Sequence, residues 1–143
     1  MYSTLGRYVP GLAFDHPCAL LITGTTGAGK SYFTKCCVEK GGIEGPINKI
    51  YYFMPRIEPV DITPADGQEL FIMEGMPTRE WLDKTFPTSN SNALLIIDDQ
   101  WTDCVDSKVV LYLTNFARRH LSLSMIFIGQ NFYEKSKIAI SIR

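Results

Sequence analysis

The sequence predicts an α/β domain built on a mainly parallel sheet. Short apolar segments alternate with segments whose apolar residues recur every three or four positions, as strands and helices do in such domains. A glycine-rich segment separates the first apolar strand from the first helix, and a later apolar strand ends in two aspartates. Because parallel strands end at one edge of a sheet, these two features are expected at the edge where α/β proteins bind ligands.

The first part of the chain predicts a leader, a strand and a helix. Residues 1–16 contain glycine and proline and are predicted to form an irregular leader, followed by one domain over 17–143. The segment CALLIT, 18–23, is short and apolar and is followed by glycine, which indicates a strand buried on both faces. A helix is expected over 30–40, because apolar residues repeat there at helical spacing and the glycines 41–42 follow as a stop.

The middle of the chain predicts three strands and a short helix. The segment KIYYFMP, 49–55, is aromatic and β-branched and ends at proline, which indicates a second strand. Several prolines over 55–67 predict a loop. A short strand is expected at ELFIMEG, 69–75, a short helix at TREWLDKTF, 78–86, and a strand at ALLII, 93–97.

The last part of the chain predicts one more helix and one more strand. A helix is expected over 105–118, with an apolar face composed of Val105, Val109, Leu113, Phe116 and Ala117. The segment LSMIFIGQN, 123–131, is expected to be a strand that glycine stops.

The composition is that of a globular intracellular protein. The chain has 143 residues, 45% of them hydrophobic, and a net charge of −1, so it fits one domain and has no global basic field for nucleic acid. DNA contact would need a local patch or the pore of an oligomer.

Cys18, Cys36, Cys37 and Cys104 show no C-x-x-C spacing, which favours reduced thiols over a disulfide or zinc site. Without a long apolar run or a signal-like start, we expect a soluble protein that does not enter a membrane.

The segment GTTGAGKS fits the phosphate-loop pattern G-x-x-x-x-G-K-[ST] and lies between a predicted strand and a predicted helix. Its glycines let successive backbone N–H groups point at phosphate oxygens, and the start of the helix adds the positive end of its dipole. In this arrangement Lys30 bridges the β- and γ-phosphates of ATP, and the Ser31 hydroxyl binds Mg²⁺. The alternative is a glycine-rich turn without a ligand. The predicted nucleotide-binding residues are Gly24, Thr25, Thr26, Gly27, Ala28, Gly29, Lys30 and Ser31.

The strand at 93–97 leads directly into Asp98 and Asp99. A phosphate loop predicts a second site of this kind, an apolar strand ending in an aspartate that holds Mg²⁺ directly or through water, so Asp98 is the predicted metal ligand beside Ser31. P-loop ATPases that hydrolyse ATP with their own residues often carry a glutamate directly after this aspartate, as the base that activates water. Asp99 stands at that position and is one methylene shorter. Three roles stay open for Asp99: direct catalysis, action through an intervening water, and orientation of the loop.

Two further groups of polar residues stand at the ends of predicted elements. Gln130 ends the last strand, where it would sense the γ-phosphate or position water, or would only terminate the strand. Arg118 and Arg119 end the helix before that strand, where cations suit the helix dipole. The alternative is that one of them reaches the nucleotide site of a neighbouring subunit. His120 and His16 are remote from each other in the sequence, so metal ligation by histidine is not expected.

In this order, the segments GTTGAGKS, LLIIDDQ and FARRHLSLSMIFIGQN resemble the viral DNA-packaging ATPases of the FtsK–HerA superfamily. The likeness is greatest to the poxvirus-type enzymes and their relatives in large DNA viruses and Maverick/Polinton transposons, and it covers residues 17–133. It implies a RecA-like (ASCE) P-loop NTPase, a three-layer sandwich that assembles as a homo-oligomeric ring and drives double-stranded DNA through its centre with ATP and Mg²⁺. The implied roles are nucleotide binding by Lys30 and Ser31, Mg²⁺ binding by Asp98, the catalytic acid for Asp99, the sensor for Gln130 and the trans-acting finger for Arg118 or Arg119.

The resemblance leaves two questions open: whether the sheet is complete, and whether the protein is a motor. Such relatives continue beyond the sensor strand whereas this sequence stops at Arg143, so the sheet is expected to lack an edge strand. The alternative to a motor is a nucleotide-binding module without turnover, a transposon- or virus-derived relic that acts through partners. A kinase is disfavoured because no arginine-rich lid follows the sheet, and a GTPase because no N-K-x-D segment occurs. The expected location is the cytoplasm or nucleus of a host, or a virus factory or virion.

Overall fold

A computed structural model describes residues 13–24, 29–87, 90–98, 108–117 and 120–129. The strands of this part of the chain are β1 (Phe14–Asp15), β2 (Ala19–Thr23), β3 (Ile43–Glu44), β4 (Lys49–Met54), β5 (Glu69–Glu74), β6 (Ala93–Asp98) and β7 (Leu123–Gly129). The helices are α1 (Lys30–Glu39), α2 (Arg79–Thr85) and α3 (Lys108–Tyr112), and a π-helical turn over Leu113–Ala117 continues α3.

Five of these strands form one parallel sheet in the order β2-β7-β6-β4-β5. The predicted α/β class with a mainly parallel sheet is therefore confirmed. The central strands β4, β6 and β7 are almost continuously apolar and almost completely buried, as is typical of parallel strands covered on both faces. The core of the domain lies along these three strands.

One face of the sheet carries a cluster of aromatic side chains and is covered by α2 and α3. Tyr51 stacks on Phe71 with 5.0 Å between ring centroids, and Trp81 of α2 packs edge-on against Tyr51 and Phe53 at 5.1 and 5.2 Å. Val110 of α3 is completely buried in the same cluster. Tyr51 and Phe53, which are alternate residues of β4, thus point to this face and pack against α2.

The opposite face is covered by α1 and by the segment that follows β4. Side chains from these two elements pack on the residues of β4, β6 and β7 that point to this side, and the packed set includes Phe33, Cys37, Val38, Ile50, Tyr52, Val60, Ile62, Ile96 and Ile126. Together the two faces give three layers, with the sheet in the middle.

Helix α1 agrees closely with the prediction for 30–40, and its end is a tight turn. The N–H groups of Lys40 and Gly42 donate to the carbonyls of Cys36 and Cys37, at 2.9 and 2.8 Å. A Cβ atom at Gly42 would lie 2.8 Å from the Cα of Cys37, so only glycine lets the chain return so closely against the helix. The two glycines therefore act as the predicted stop.

The cysteines of the described residues are free thiols. Cys36 and Cys37 are buried on α1, and Cys18 is half-buried before β2. Burial raises the pKa of the Cys37 thiol to about 12. Cys104 lies outside the described residues.

Strand β2 is less buried than its sequence predicts. Its residues Ala19–Ile22 are only half-buried and Thr23 is exposed, although the segment was expected to be buried on both faces. The reason is position: within the described strands β2 lies at an edge and pairs with β7 alone. An apolar sequence cannot distinguish an edge strand from a central one.

The leader prediction for residues 1–16 is wrong at its end, where Phe14–Asp15 form β1. This strand pairs in parallel with β3 in a separate two-stranded sheet. The N–H groups of Phe14 and His16 donate to the carbonyls of Gly42 and Glu44 at 2.8 and 2.9 Å, so the segment is tied to the turn after α1. Residues 1–12 lie outside the described part of the chain.

The apolar face predicted over 105–118 is incomplete, because it omits Val110. Val110 and Leu113 are completely buried whereas Val109 is only half-buried. Val109 packs against the same core cluster as Leu113, as predicted, but Val110, one position further on, is the more buried residue. Val105 and the side chains of Phe116 and Ala117 lie outside the described residues.

Candidate functional site

The carboxyl ends of the parallel strands form one edge of the sheet. Thr23 of β2 pairs with Gly129 of β7, and Asp98 of β6 pairs with Ile128. Phe53, one residue before the end of β4, pairs with Ile97. The start of the glycine-rich loop, the end of β7 and Asp98 therefore follow one another along this edge.

A cavity of about 980 Å³ lies at this edge, between the start of α1, the end of β6 and the segment that follows β4. It is open to solvent and has both polar and apolar walls. Its polar and charged lining residues are Lys30, Ser31, Tyr32, Lys35, Tyr52, Arg56, Glu58, Asp61 and Asp98. Four predicted site residues, Gly29, Lys30, Ser31 and Asp98, thus line one cavity although they are up to 69 positions apart in the sequence.

The glycine-rich segment is described at its two ends. Gly29 adopts φ 93°, a left-handed conformation that glycine takes without strain, and α1 begins at the next residue. The Lys30 ammonium donates a hydrogen bond to the Gly24 carbonyl at 2.7 Å. This side chain therefore connects the beginning of the segment to its end. Ser31 follows on the first turn of α1.

Asp98 is the last residue of β6 and is half-buried. Its Oδ2 atom accepts a hydrogen bond from the Tyr52 hydroxyl at 2.5 Å. Burial, reinforced by the bond to Asp98, raises the pKa of the Tyr52 phenol. The phenol is therefore protonated at neutral pH and serves as the donor.

The segment after β4 forms the outer wall of the cavity and is tied to α1. The Lys35 ammonium bonds both carboxylate oxygens of Glu39 at 2.8 Å, and Glu39 Oε2 accepts from the Thr63 N–H, also at 2.8 Å. Hydrogen bonding to Glu39 raises the pKa of Lys35, and the same contact lowers the pKa of Glu39. Asp61 lies 3.9 Å from the Lys35 ammonium. Helix α1 thereby lines the cavity and also holds the segment that forms its outer wall.

Arg56 is an exposed cation on this outer wall. It follows Pro55, directly after the end of β4. Within the described ranges it has no ion pair, whereas Lys35 and Arg79 are paired with Glu39 and Asp83. The cavity therefore presents a guanidinium in addition to the Lys30 ammonium.

Sequence reasoning missed Tyr52 and Arg56. Tyr52 was assigned only to the interior of a strand, yet a tyrosine buried in a parallel sheet needs a partner for its hydroxyl. The sequence does contain an acid at the end of another apolar strand, but it does not show that the two strands are neighbours. Arg56 carried a weaker signal, its position just after a strand that ends at the ligand-binding edge.

Several predicted site residues lie outside the described residues. These are Thr25, Thr26, Gly27 and Ala28 of the glycine-rich segment, Asp99 after β6, Arg118 and Arg119 before β7, and Gln130 after it.

Comparison with protein-family models, with curated proteins and with solved structures gives no match. The resemblance to packaging ATPases therefore stays a prediction that rests on the motifs. Within the described ranges, no group of three or more His, Cys, Asp or Glu side chains is placed to hold a metal ion. No helix in those ranges has the length and apolarity needed to cross a bilayer.

Proposed function

We propose that the protein is a Mg²⁺-dependent, ATP-binding and ATP-hydrolysing P-loop protein of the RecA-like type. The observation that carries this proposal is the single cavity lined by Lys30, Ser31 and Asp98. A lysine and a serine at the start of a helix, facing an aspartate at the end of a buried strand, are the groups that an ATP·Mg²⁺ complex requires.

The cavity is suited to a triphosphate by its charge. The first turn of α1 offers backbone N–H groups and the positive end of the helix dipole. Lys30 adds an ammonium. On nucleotide binding it would exchange its hydrogen bond to the Gly24 carbonyl for contacts with the β- and γ-phosphates. Arg56 adds a guanidinium on the opposite wall, where it would face the same phosphates.

The residues present also fit Mg²⁺. This ion prefers oxygen ligands, keeps several waters and is commonly held by one or two protein oxygens together with substrate phosphates. The Ser31 hydroxyl and the Asp98 carboxylate are such oxygens, and a larger cluster of protein ligands is not needed. When bound, Mg²⁺ would neutralise charge that develops on the phosphates.

The order of the strands supports a role in hydrolysis for the residues that follow them. Strand β7 lies between β2 and β6 and ends at Gly129, one residue before Gln130. Asp99 directly follows Asp98. In the proposed mechanism Asp99 activates the attacking water and Gln130 senses the γ-phosphate.

The wider proposal rests on the resemblance alone. It is that the protein works inside a cell or virus factory as a homo-oligomeric ring on double-stranded DNA, with Arg118 or Arg119 reaching the nucleotide of the neighbouring subunit. The short apolar strands and the three-layer arrangement are compatible with that class of motor.

Substitution of Lys30 tests the nucleotide site. We expect Lys30→Ala to weaken ATP binding by about 10- to 100-fold, because a charge-assisted contact to phosphate contributes about 1.5–3 kcal/mol. Phosphate release should be lost as well. Calorimetry with ATP and Mg²⁺, together with a phosphate-release assay, measures both effects.

Lys40→Ala is the matched control, because Lys40 is exposed at the other end of α1, away from the cavity. Equal ATP affinity in the wild type and Lys30→Ala would contradict the proposed site. ATP binding without phosphate release in the wild type would instead support the nucleotide-binding module.

A further inference from the structure

The contact between Tyr52 and Asp98 joins two neighbouring strands at the floor of the cavity. Strands β4 and β6 are paired so that Tyr52 stands opposite Ile96, two residues before Asp98. Residues 96 and 98 point to the same face of the sheet, so Tyr52 and Asp98 are diagonal neighbours on it. Such neighbours lie within reach of a long side chain, and the tyrosine hydroxyl spans the gap.

Tyr52 is itself held in place by its surroundings. Its side chain is 5% exposed and is packed in the cluster beneath α1, together with Ile50, Ile96 and Ile126. Because the ring is surrounded on a rigid central strand, the direction of the hydroxyl is fixed. The hydroxyl donates to a charged carboxylate at 2.5 Å, which makes this a short charge-assisted hydrogen bond.

We propose that Tyr52 is a positioning residue that fixes the orientation of the Asp98 carboxylate for Mg²⁺ in the nucleotide cavity. The inference rests on the proposed function, since it takes Asp98 as the metal ligand. The bond to Oδ2 restricts rotation of the carboxylate, so the ligand is already oriented when Mg²⁺ arrives with the nucleotide. The residues that orient a metal ligand typically contribute 10- to 100-fold to metal affinity.

Tyr52→Phe tests this role by removing one hydroxyl and retaining the ring. We expect the Mg²⁺ concentration that half-saturates ATP hydrolysis to rise by about 10- to 100-fold. ATP affinity in the presence of EDTA should stay as in the wild type, because the Tyr52 hydroxyl is engaged by Asp98 and would act on the nucleotide only through the metal ligand. A merely structural role would weaken Mg²⁺ binding and ATP binding together.

Tyr51→Phe is the matched control. Tyr51 is the preceding residue of the same strand and is equally buried, but it points to the opposite face and packs on Phe71 and Trp81. Its Mg²⁺ dependence should equal that of the wild type. An unchanged half-saturating Mg²⁺ concentration in Tyr52→Phe, or an equal rise in both variants, would overturn the proposal.

A double-mutant cycle without nucleotide separates this inference from the proposed function. Tyr52→Phe, Asp98→Ala and the double variant are compared by urea unfolding, and non-additive effects on stability support the contact. Additive effects overturn the inference even where the wild type hydrolyses ATP. If the cycle shows a coupling energy between Tyr52 and Asp98 but the wild type binds no ATP with Mg²⁺, the proposed function fails and the positioning role fails with it.

Discussion

At the scale of single residues, the amino edge of the sheet holds a buried polar group that is remote from the cavity. Ser124, at the start of β7, is completely buried, and its Oγ atom lies 2.6 Å from Nδ1 of His16. The backbone N–H of Cys18 donates to the same oxygen at 3.0 Å. One serine thereby connects β7 to the chain just before β2, and buried polar groups of this kind are stabilising only when they are paired.

His16 makes stability depend on pH. Burial is the largest influence on its pKa and lowers it below the usual 6.5, so the folded protein favours the neutral ring. The unfolded chain binds a proton at a higher pH than the folded chain does. The contribution of His16 to stability is therefore fully present above about pH 6.5 and is lost as the pH falls toward the lowered pKa.

The prediction is that the melting temperature of the wild type falls between pH 7 and about pH 5.5, and that His16→Gln reduces this fall. Differential scanning calorimetry across the range measures it. His120→Gln, which removes the only other histidine of the chain, an exposed one, is the matched control. Parallel profiles for the wild type and His16→Gln would show that His16 does not carry the effect.

At the scale of elements, α2 is a short helix that depends on its cap. Thr78 precedes the helix with an extended backbone, and its hydroxyl accepts a hydrogen bond from the Trp81 N–H at 3.1 Å. The same Trp81 ring packs edge-on against Tyr51, Phe53 and Phe86. The cap therefore orders both the first turn and the aromatic layer.

We predict that Thr78→Ala lowers the free energy of unfolding by about 1 kcal/mol, the usual effect of losing a side-chain cap. Urea denaturation monitored by tryptophan fluorescence measures the change. Thr78→Ser retains the hydroxyl and should lie close to the wild type. If the alanine and serine variants were equally stable, the hydrogen bond to Trp81 would not contribute.

The elements also show which features local sequence can predict. Helix α1 and the five strands of the main sheet were predicted, because each has its own apolar pattern and its own stop signal. The edge position of β2 and the contact of Tyr52 with Asp98 were not. Both depend on which strands become neighbours, and strand order is a non-local property that no segment carries by itself.

The candidate site likewise contains residues that the sequence predicts and residues that it does not. Lys30, Ser31 and Asp98 could be assigned to one cavity, because parallel strands deliver their carboxyl ends to one edge. Arg56 reaches that cavity only because β4 lies next to β6, which the sequence does not specify. The π-helical turn after α3 escaped prediction because apolar spacing assumes a regular helix.

At the scale of the whole molecule, the motor proposal concerns assembly and DNA. With a net charge of −1 the chain has no general attraction for nucleic acid, so DNA would be held in the pore of a ring. We predict that double-stranded DNA stimulates phosphate release from an oligomer, and that added salt weakens this stimulation. Light scattering coupled to chromatography, run with and without ATP and DNA beside the phosphate assay, tests both parts.

Single-stranded DNA of the same length is the control for that experiment. Arg118→Ala and Arg119→Ala add a second test, since a trans-acting arginine should be needed for turnover but not for ATP binding. A confirmed oligomer whose phosphate release is indifferent to duplex DNA would exclude the motor while leaving the nucleotide site intact.

The edge position of β2 has a consequence for how the protein is made. Within the described sheet its pairing partner is β7, which lies about 100 residues further along the chain (Ala19 pairs with Met125). A nascent chain that ends before β7 has no neighbour for the strand that leads into the phosphate loop. Contacts between segments so distant in sequence form late and slowly, so the nucleotide cavity is completed only after β7 has been synthesised.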